Sequence, residues 1–320
     1  MIHVNVTNEV SRLRAVVLGR ADSQGTKPKI EDAYDPKSAE YIKRHRYPIE
    51  PAMVREIEAV NEVLIKYGVT VYRPEQIPHY NQIFARDIAF VIDDKLIKAN
   101  ILPDRDKEIM AIEHIWQQIP KKNRITLPED AHIEGGDIMP WYDYIFIGTY
   151  REDDYPDIIT ARTNMKAVQY IQELFPRKKV VSFNLKKSKE FVPEKANSFT
   201  AAQLHEFAKN NALHLDCCFQ PLGKGKAIIH KEGFLIEKEY QWLVTFFGKE
   251  NIFEITADEM YNMNSNIFSI APDIVLSEKN FTRLNTWLRA QGFTVEEVPY
   301  AEIAKQEGLL RCSTMPLVRD

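Results

Sequence analysis

The sequence predicts an α/β protein in which one small unit, two strands followed by a helix and a third strand, recurs five times around a common centre. The order of apolar strand, tight turn, apolar strand, amphipathic helix and strand can be read five times along the 320 residues. Hydrophobic residues make up 44% and charged residues 28%, with 12 Gly and 17 Pro, which fits a globular chain and excludes collagen-like or largely disordered ones. A unit of this kind cannot bury both its sheet and its helix alone, so neighbours must cover it, and five copies favour closure over an open array. An αβ sandwich with fortuitous repeats is the alternative that periodicity leaves open.

The first copy opens with LRAVVLGR (13–20), then crosses a polar stretch, 21–50, before the helix VREIEAVNEVLIKYG (54–68) and strand 69–75. The second, FARDIAFVIDDKLI (84–97), turns at Asp93 and Asp94 and continues into a helical 108–119 and strand 124–128. The third, WYDYIFIGTY (141–150), is interrupted by the acidic REDDYPD (151–157) before a helix over 164–175 and strand 179–183. The fourth spans 214–229, turning at Gly223 and Gly225, then a helix over 238–248 and strand 252–256. The fifth spans 264–277, turning at Pro272 and Asp273. Its helix, 280–292, carries an apolar stripe of Phe281, Leu284, Trp287 and Leu288 and stops at Gly292, before strand 294–299. Segments near 21–50, 151–163 and 184–212 read as insertions in a single domain spanning 1–320, the last with a capped helix over 198–210.

Lys and Arg number 42 against 46 Asp and Glu, a net charge of −4 with no long basic run, so no nucleic-acid or anionic-membrane partner is expected. A small soluble ligand becomes the expected partner. The apolar run at Leu13–Leu18 is too short for a signal core or a membrane span, and three cysteines, Cys217, Cys218 and Cys312, build no disulfide framework. Both features predict a cytoplasmic protein.

Polar residues recur immediately before the first strand of each hairpin: Asp87, Glu134 with Asp137, His214 with Asp216, Asn264, and Cys312 ahead of a last strand, TMPLVR. A ring would bring them to one central region. His214 and Asp216, two apart in an extended segment, would project to one face and Leu215 and Cys217 to the other. Each has a plainer reading: Asp87 as a surface pair with Arg86, EGGD (134–137) as a turn whose glycines supply positive φ, His214 as a structural histidine, Cys312 as a small buried hydrophobe. Two other chemistries compete. A metal site at HxDCC lacks the spacing of zinc ligands, and a cysteine-protease dyad of Cys312 and His214 lacks the local signatures of those families.

FARDIAFVI, IEGGDIM, ALHLDCCF and GLLRCSTMPLVR, in this order and spacing, resemble the four motif segments of the guanidine-modifying superfamily: amidinotransferases, arginine and agmatine deiminases and dimethylarginine dimethylaminohydrolase. The resemblance runs from Leu13 to Arg319. It implies a five-bladed pseudo-symmetric α/β propeller of ββαβ modules around a central active site, needing no metal or organic cofactor. It assigns Cys312 as nucleophile, His214 as general acid and base, and Glu134 as the carboxylate that orients His214. Asp87 and Asp216 would grip the guanidinium, Asn264 would lie with them, and Arg162 would meet a substrate carboxylate. The implied activity is a thiol-dependent hydrolase of the guanidino or ureido group of an arginine-like molecule. Amidino transfer to an amine is the alternative, and a non-catalytic binding propeller the second. HKEG at His230 has no counterpart to an amidinotransferase arginine, which tilts the reading towards hydrolysis. The partner would be a small guanidino compound, and a homodimer is compatible with it.

Overall fold

The computed structural model describes residues Met1–Asp320 and contains five three-stranded sheets. In the first, β1 (Leu13–Leu18) pairs in parallel with β2 (Thr70–Tyr72), and α1 (Pro36–Lys43) and α2 (Glu50–Lys66) lie between them. The second begins with a single helical turn, α3 (Ala85–Ile88), then β3 (Ala89–Ile92), β4 (Lys95–Lys98), α4 (Asp106–Met110), α5 (Glu113–Trp116) and β5 (Arg124–Thr126). The third has β6 (Ile138–Trp141), β7 (Tyr144–Thr149), α6 (Met165–Leu174) and β8 (Lys179–Asn184), and α7 (Ala201–Lys209) follows in the connection to the fourth. The fourth has β9 (Phe219–Pro221), β10 (Ala227–Ile229), α8 (Glu237–Phe247) and β11 (Ile252–Glu254), then α9 (Ala257–Tyr261). The fifth has β12 (Phe268–Ala271), β13 (Ile274–Glu278), α10 (Thr282–Ala290) and β14 (Thr294–Val298).

The last strand, β15 (Thr314–Arg319), returns to pair antiparallel with β1, so the first sheet is completed by the two ends of the chain. Every blade then has one plan, a middle strand antiparallel to the strand before it and parallel to the strand after the helix. This is the five-bladed α/β propeller, and the sandwich is excluded. The turns that precede the first strands are bonded to one another around the centre. Arg86 N–H donates to the Cys312 carbonyl, Arg311 N–H to the Asn266 carbonyl, Ser265 Oγ to the Asp216 carbonyl, and Leu215 N–H to Asp137 Oδ1. At the remaining join a Cβ on Gly135 would stand 2.0 Å from the Arg86 carbonyl oxygen.

Between blades the strand residues Phe146, Phe183 and Phe219 are buried together with Phe247 of α8, their rings meeting edge-on or tilted. Two local expectations change. The helix predicted over 108–119 is broken at Ala111 and Ile112 into α4 and α5, although the buried Ala111, Ile112, Ile115, Trp116 and Ile119 keep the spacing of one helix face. The polar 21–50 stretch contains α1, started by Pro36 at its first turn and by Asp35, which accepts from Ser38 N–H at 2.6 Å. α7 carries a capping box of Thr200 and Gln203. The two insertions share their own apolar cluster, Ile30, Ala33, Ala39 and Ile42 against Phe191, Ala196 and Leu204. No helix is long and apolar enough to cross a membrane.

Candidate active site

A turn ahead of a buried strand is short, and its backbone is fixed at both ends by strand pairing and by the neighbouring turn, so its side chains are aimed by the fold. His214 Nε2 donates to Glu134 Oε2 at 2.7 Å, and His214 Nδ1 lies 3.8 Å from Asp87 Oδ1. Cys312 Sγ lies 3.6 Å from Asp216 Oδ2 and accepts from Asn266 Nδ2 at 3.1 Å, while Cys312 N–H donates to Asn266 Oδ1 at 3.1 Å. Asp87, His214 and Cys312 line one cavity of about 430 Å³, and Glu134 and Asp216 are buried behind them.

Each carboxylate of this group has its own arginine. Asp87 Oδ2 accepts from Arg105 Nη1 at 2.8 Å, and Arg105 also binds Glu108 through two nitrogens. Glu134 accepts from Arg162 at 3.2 Å on both oxygens, and Asp216 Oδ2 accepts from Arg311 at 2.9 Å, with Arg311 held in turn by Glu9. Burial would raise the Glu134 carboxyl, but Arg162, the His214 bond and Arg105 outweigh it and hold the group well below the usual carboxylate range. Burial would lower His214, but Asp87, Glu134 and Asp137 outweigh it and raise the imidazole above its ordinary value. Burial, then Asp216 and Asp87, push the Cys312 thiol well above its ordinary value. Both shifts act in one direction, favouring the charged form of His214 and the neutral form of Cys312.

Several expectations change at residue level. The His214–Cys217 segment is not extended: residues 215–217 form a helical turn, so His214 and Asp216 reach the site by the turn and not by strand alternation. Asn264 lines a different cavity, beside Lys37, Glu278 and Phe281, and Asn266, two residues on, is the amide that touches Cys312. Arg162 is at the site, but its guanidinium already bonds Glu134 and the carbonyls of Ile159 and Tyr34. Gly135 and Gly136 have no positive φ. Their need is space, since a Cβ on Gly136 would stand 2.6 Å from His214 Nδ1. Arg86 and Asp87 are not an ion pair at the surface, because both are buried and Asp87 pairs with Arg105.

Sequence reasoning missed Arg105, Asn266, Asp35 and Glu307, all at or beside the cavity. Asn266 had a signal in the NSN triplet and Glu307 in its place five residues before Cys312, whereas Arg105 had none. Asp87, Glu134 and His214 present three ligand atoms within 4.8 Å of one another. Arginines already bond both carboxylates there, and Cys217 and Cys218 belong to the apolar core, so the donor set does not suit a metal ion.

The comparisons with known proteins follow this geometry. Residues 216–319 match the family model for arginine deiminase, over the segment that holds Asp216, Asn266, Arg311 and Cys312. The arginine deiminase of Listeria monocytogenes (serotype 4b, strain CLIP80459) is 27% identical over 275 residues, covering 77% of this chain, and the chain spans only 64% of that relative's length. Over these segments the chain is similar to arginine deiminases. Another relative, the uncharacterized protein YkgA of Bacillus subtilis (strain 168), is 27% identical over 239 residues, 74% of this chain and 70% of its own length. Among solved structures, the N-terminal domain of ArgZ, an arginine dihydrolase from cyanobacteria, superposes with a TM-score of 0.72 at 16% identity, covering 95% of this chain and 97% of that one. At that identity the superposition shows a shared fold.

Proposed function

We propose that the protein is a thiol-dependent hydrolase of the guanidino or ureido group of a small arginine-like molecule. The observation that carries this reading is the convergence of Cys312, His214 and Asp87 on one cavity, with Asp216 against the sulfur. A guanidinium is a planar cation with N–H donors on its rim. Asp87 Oδ1 has no partner in the structure and faces His214, so it can accept one edge. Asp216 accepts another edge and sets the guanidinium carbon in front of the sulfur.

Seating this cation between Asp87 and Asp216 offsets the two carboxylates that raise the thiol, which favours the thiolate only when substrate is bound. The sulfur attacks the guanidinium carbon. His214 Nδ1, its other nitrogen held by Glu134, delivers a proton to the departing amine, and a thiouronium remains on Cys312. Neutral His214 then takes a proton from water, the resulting oxygen nucleophile adds to the same carbon, and the C–S bond breaks to release a ureido product and the thiol. Glu134 orients and charges His214, and Asn266 Nδ2 bonds the sulfur.

Amidino transfer is the second reading, favoured by one observation. A separate cavity of about 640 Å³ includes Glu134 and Arg162, and Arg162 lines both cavities, so an amine acceptor has space beside the catalytic pair. Mass spectrometry of products from arginine, methylarginines, agmatine and citrulline, with and without glycine, separates the readings. A ureido product or ornithine formed without glycine, and lost in Cys312→Ala, supports hydrolysis. Product only with glycine supports transfer, and no product from any of them with or without acceptor counts against both and favours a binding propeller.

A further inference from the structure

A separate cavity of about 470 Å³ lies where α1 of the 21–50 insertion meets the fifth blade, and none of its lining residues lines the cavity over Cys312. The two cavities have α1 as a common wall: Asp35 at its N-cap and Ser38 line the first, Lys37 and Tyr41 the second. Five charged residues line the second cavity. Three of them are matched, since Arg283 pairs with Glu259 and Lys305 pairs with Glu302 at 2.5 Å. The other two, Lys37 and Glu278, are 3% and 1% exposed, are of opposite sign, and form no ion pair with each other or with any other side chain.

Lys37 Nζ has one acceptor, the Tyr261 carbonyl, and lies 4.6 Å from the centre of the Tyr261 ring, which leaves two of its three N–H donors unused. Glu278 accepts only from neutral donors of Asn280, the backbone N–H at 2.5 Å on Oε2 and Nδ2 at 2.9 Å on Oε1. Burial lowers the Lys37 ammonium more than Glu307 and Asp35 raise it, and burial raises the Glu278 carboxyl, as it does for charges held without a counter-ion. Asn264, 4% exposed, adds an amide whose Oδ1 has no partner. Phe281 and Leu309, both buried, give the cavity an apolar side. Unmatched buried charges and an unbonded buried amide are costly, so a molecule that supplies both signs and a hydrogen-bond donor is favoured there.

We propose that this cavity binds a free amino acid with an apolar side chain, its carboxylate on Lys37, its ammonium on Glu278 and the Asn264 amide oxygen, and its side chain against Phe281 and Leu309. A lone anion leaves Glu278 unmatched and a lone cation leaves Lys37 unmatched, whereas a zwitterion matches both and leaves the net charge of the cavity unchanged. The volume suits a small molecule. The inference does not depend on the chemistry at Cys312, because the two cavities share no lining residue. The bound molecule would bridge α1 to the fifth blade.

The test is calorimetric binding of alanine, valine, leucine and methionine to the parent protein, each beside the amine and the acid that lack its other charged end, isopentylamine and isocaproate in the case of leucine. At least one of the amino acids should bind, and at least about tenfold more tightly than either of its analogues, the effect of losing one charge-assisted hydrogen bond. Lys37→Met should remove the preference over the amine, and Glu278→Gln the preference over the acid. Ala301→Trp guards against a variant that fails to fold. Ala301 is an exposed residue at the cavity wall, so the larger ring fills the cavity without repacking the core, and it should weaken binding about tenfold or more with unchanged Tm. Asp87→Asn, in the other cavity, should leave the affinity within about twofold. Absence of binding by all four amino acids overturns the proposal, as does an analogue that binds as tightly as its amino acid. Binding that survives Ala301→Trp or Lys37→Met also overturns it, and so does binding lost in Asp87→Asn with unchanged Tm, which places the molecule over Cys312 instead.

Discussion

The floor and the roof of the cavity are built on different physical plans. The floor is five turns, each continuous with a buried strand and bonded to or packed against the next turn, with Asp87, Glu134 and Asp216 each held by a buried arginine. The roof is two insertions, α1 with its flanking loop and the connection carrying α7, joined through a small satellite cluster and not through the blades' core. A buried ion-paired network costs desolvation and holds groups in one geometry, whereas a helix pair with a small apolar contact can shift as a unit. Under the proposed function this difference would divide the labour, the floor carrying the reaction and the roof selecting the molecule offered to it.

The largest expected effect lies on the floor. Cys312→Ala should lower kcat by roughly 10⁴-fold or more, as loss of a nucleophile does, while Tm changes little. Residual activity within about tenfold of the parent removes Cys312 from that role. Next comes geometry without any change in charge. Gly136→Ala places a methyl group where a Cβ stands 2.6 Å from His214 Nδ1, so the ring must move off Glu134. A drop of about 10²-fold in kcat and a loss of about 1–3 kcal/mol in chemical denaturation are expected. An active, equally stable variant would show that the floor yields more than its packing suggests.

On the roof, Leu204→Ala opens the contact between the two insertions. The lost packing is worth about 2–5 kcal/mol locally. Limited proteolysis should quicken within 184–212 and KM should rise several-fold, with kcat within about twofold; a fall in kcat at constant KM would erase the distinction between roof and floor. The smallest effect is in the pH dependence of stability. Burial lowers His214, but Asp87, Glu134 and Asp137 outweigh it and raise the imidazole above 6.5, so from pH 6.5 upwards the native chain holds a proton that the unfolded chain has released. That contribution is complete below pH 6.5 and is lost as the pH rises through the native value. The Tm of the parent should therefore fall more steeply above pH 6.5 than that of His214→Gln, and parallel slopes would mean that the floor does not charge the imidazole.

Local signals carried the architecture further than the site. Short apolar runs with turn residues between them, Asp93 and Asp94, Gly223 and Gly225, Pro272 and Asp273, marked hairpins that form where expected, because strand alternation and turn conformation depend on near neighbours. The α7 cap was legible for the same reason, a hydroxyl three residues from its amide. Side-chain direction was less legible. Asn264 and Asn266 are interchangeable on the page, yet one faces a separate cavity and the other the sulfur. The HxD segment reads as a strand, but the helical turn at 215–217 gives it another geometry.

What the sequence by itself determined was the recurring unit, its number, and the position in each unit where polar residues gather, since each of these follows from spacing along the chain. What only the tertiary structure decided was which of those residues meet. Glu134 reaches His214 across 80 residues, Asp216 reaches Cys312 across 96, and Arg105, with no motif around it, sits between Asp87 and Glu134. Closure of the ring by β15 on β1 fixes those distances, because five turns bonded around one centre leave each side chain a single direction in which its charge can be matched.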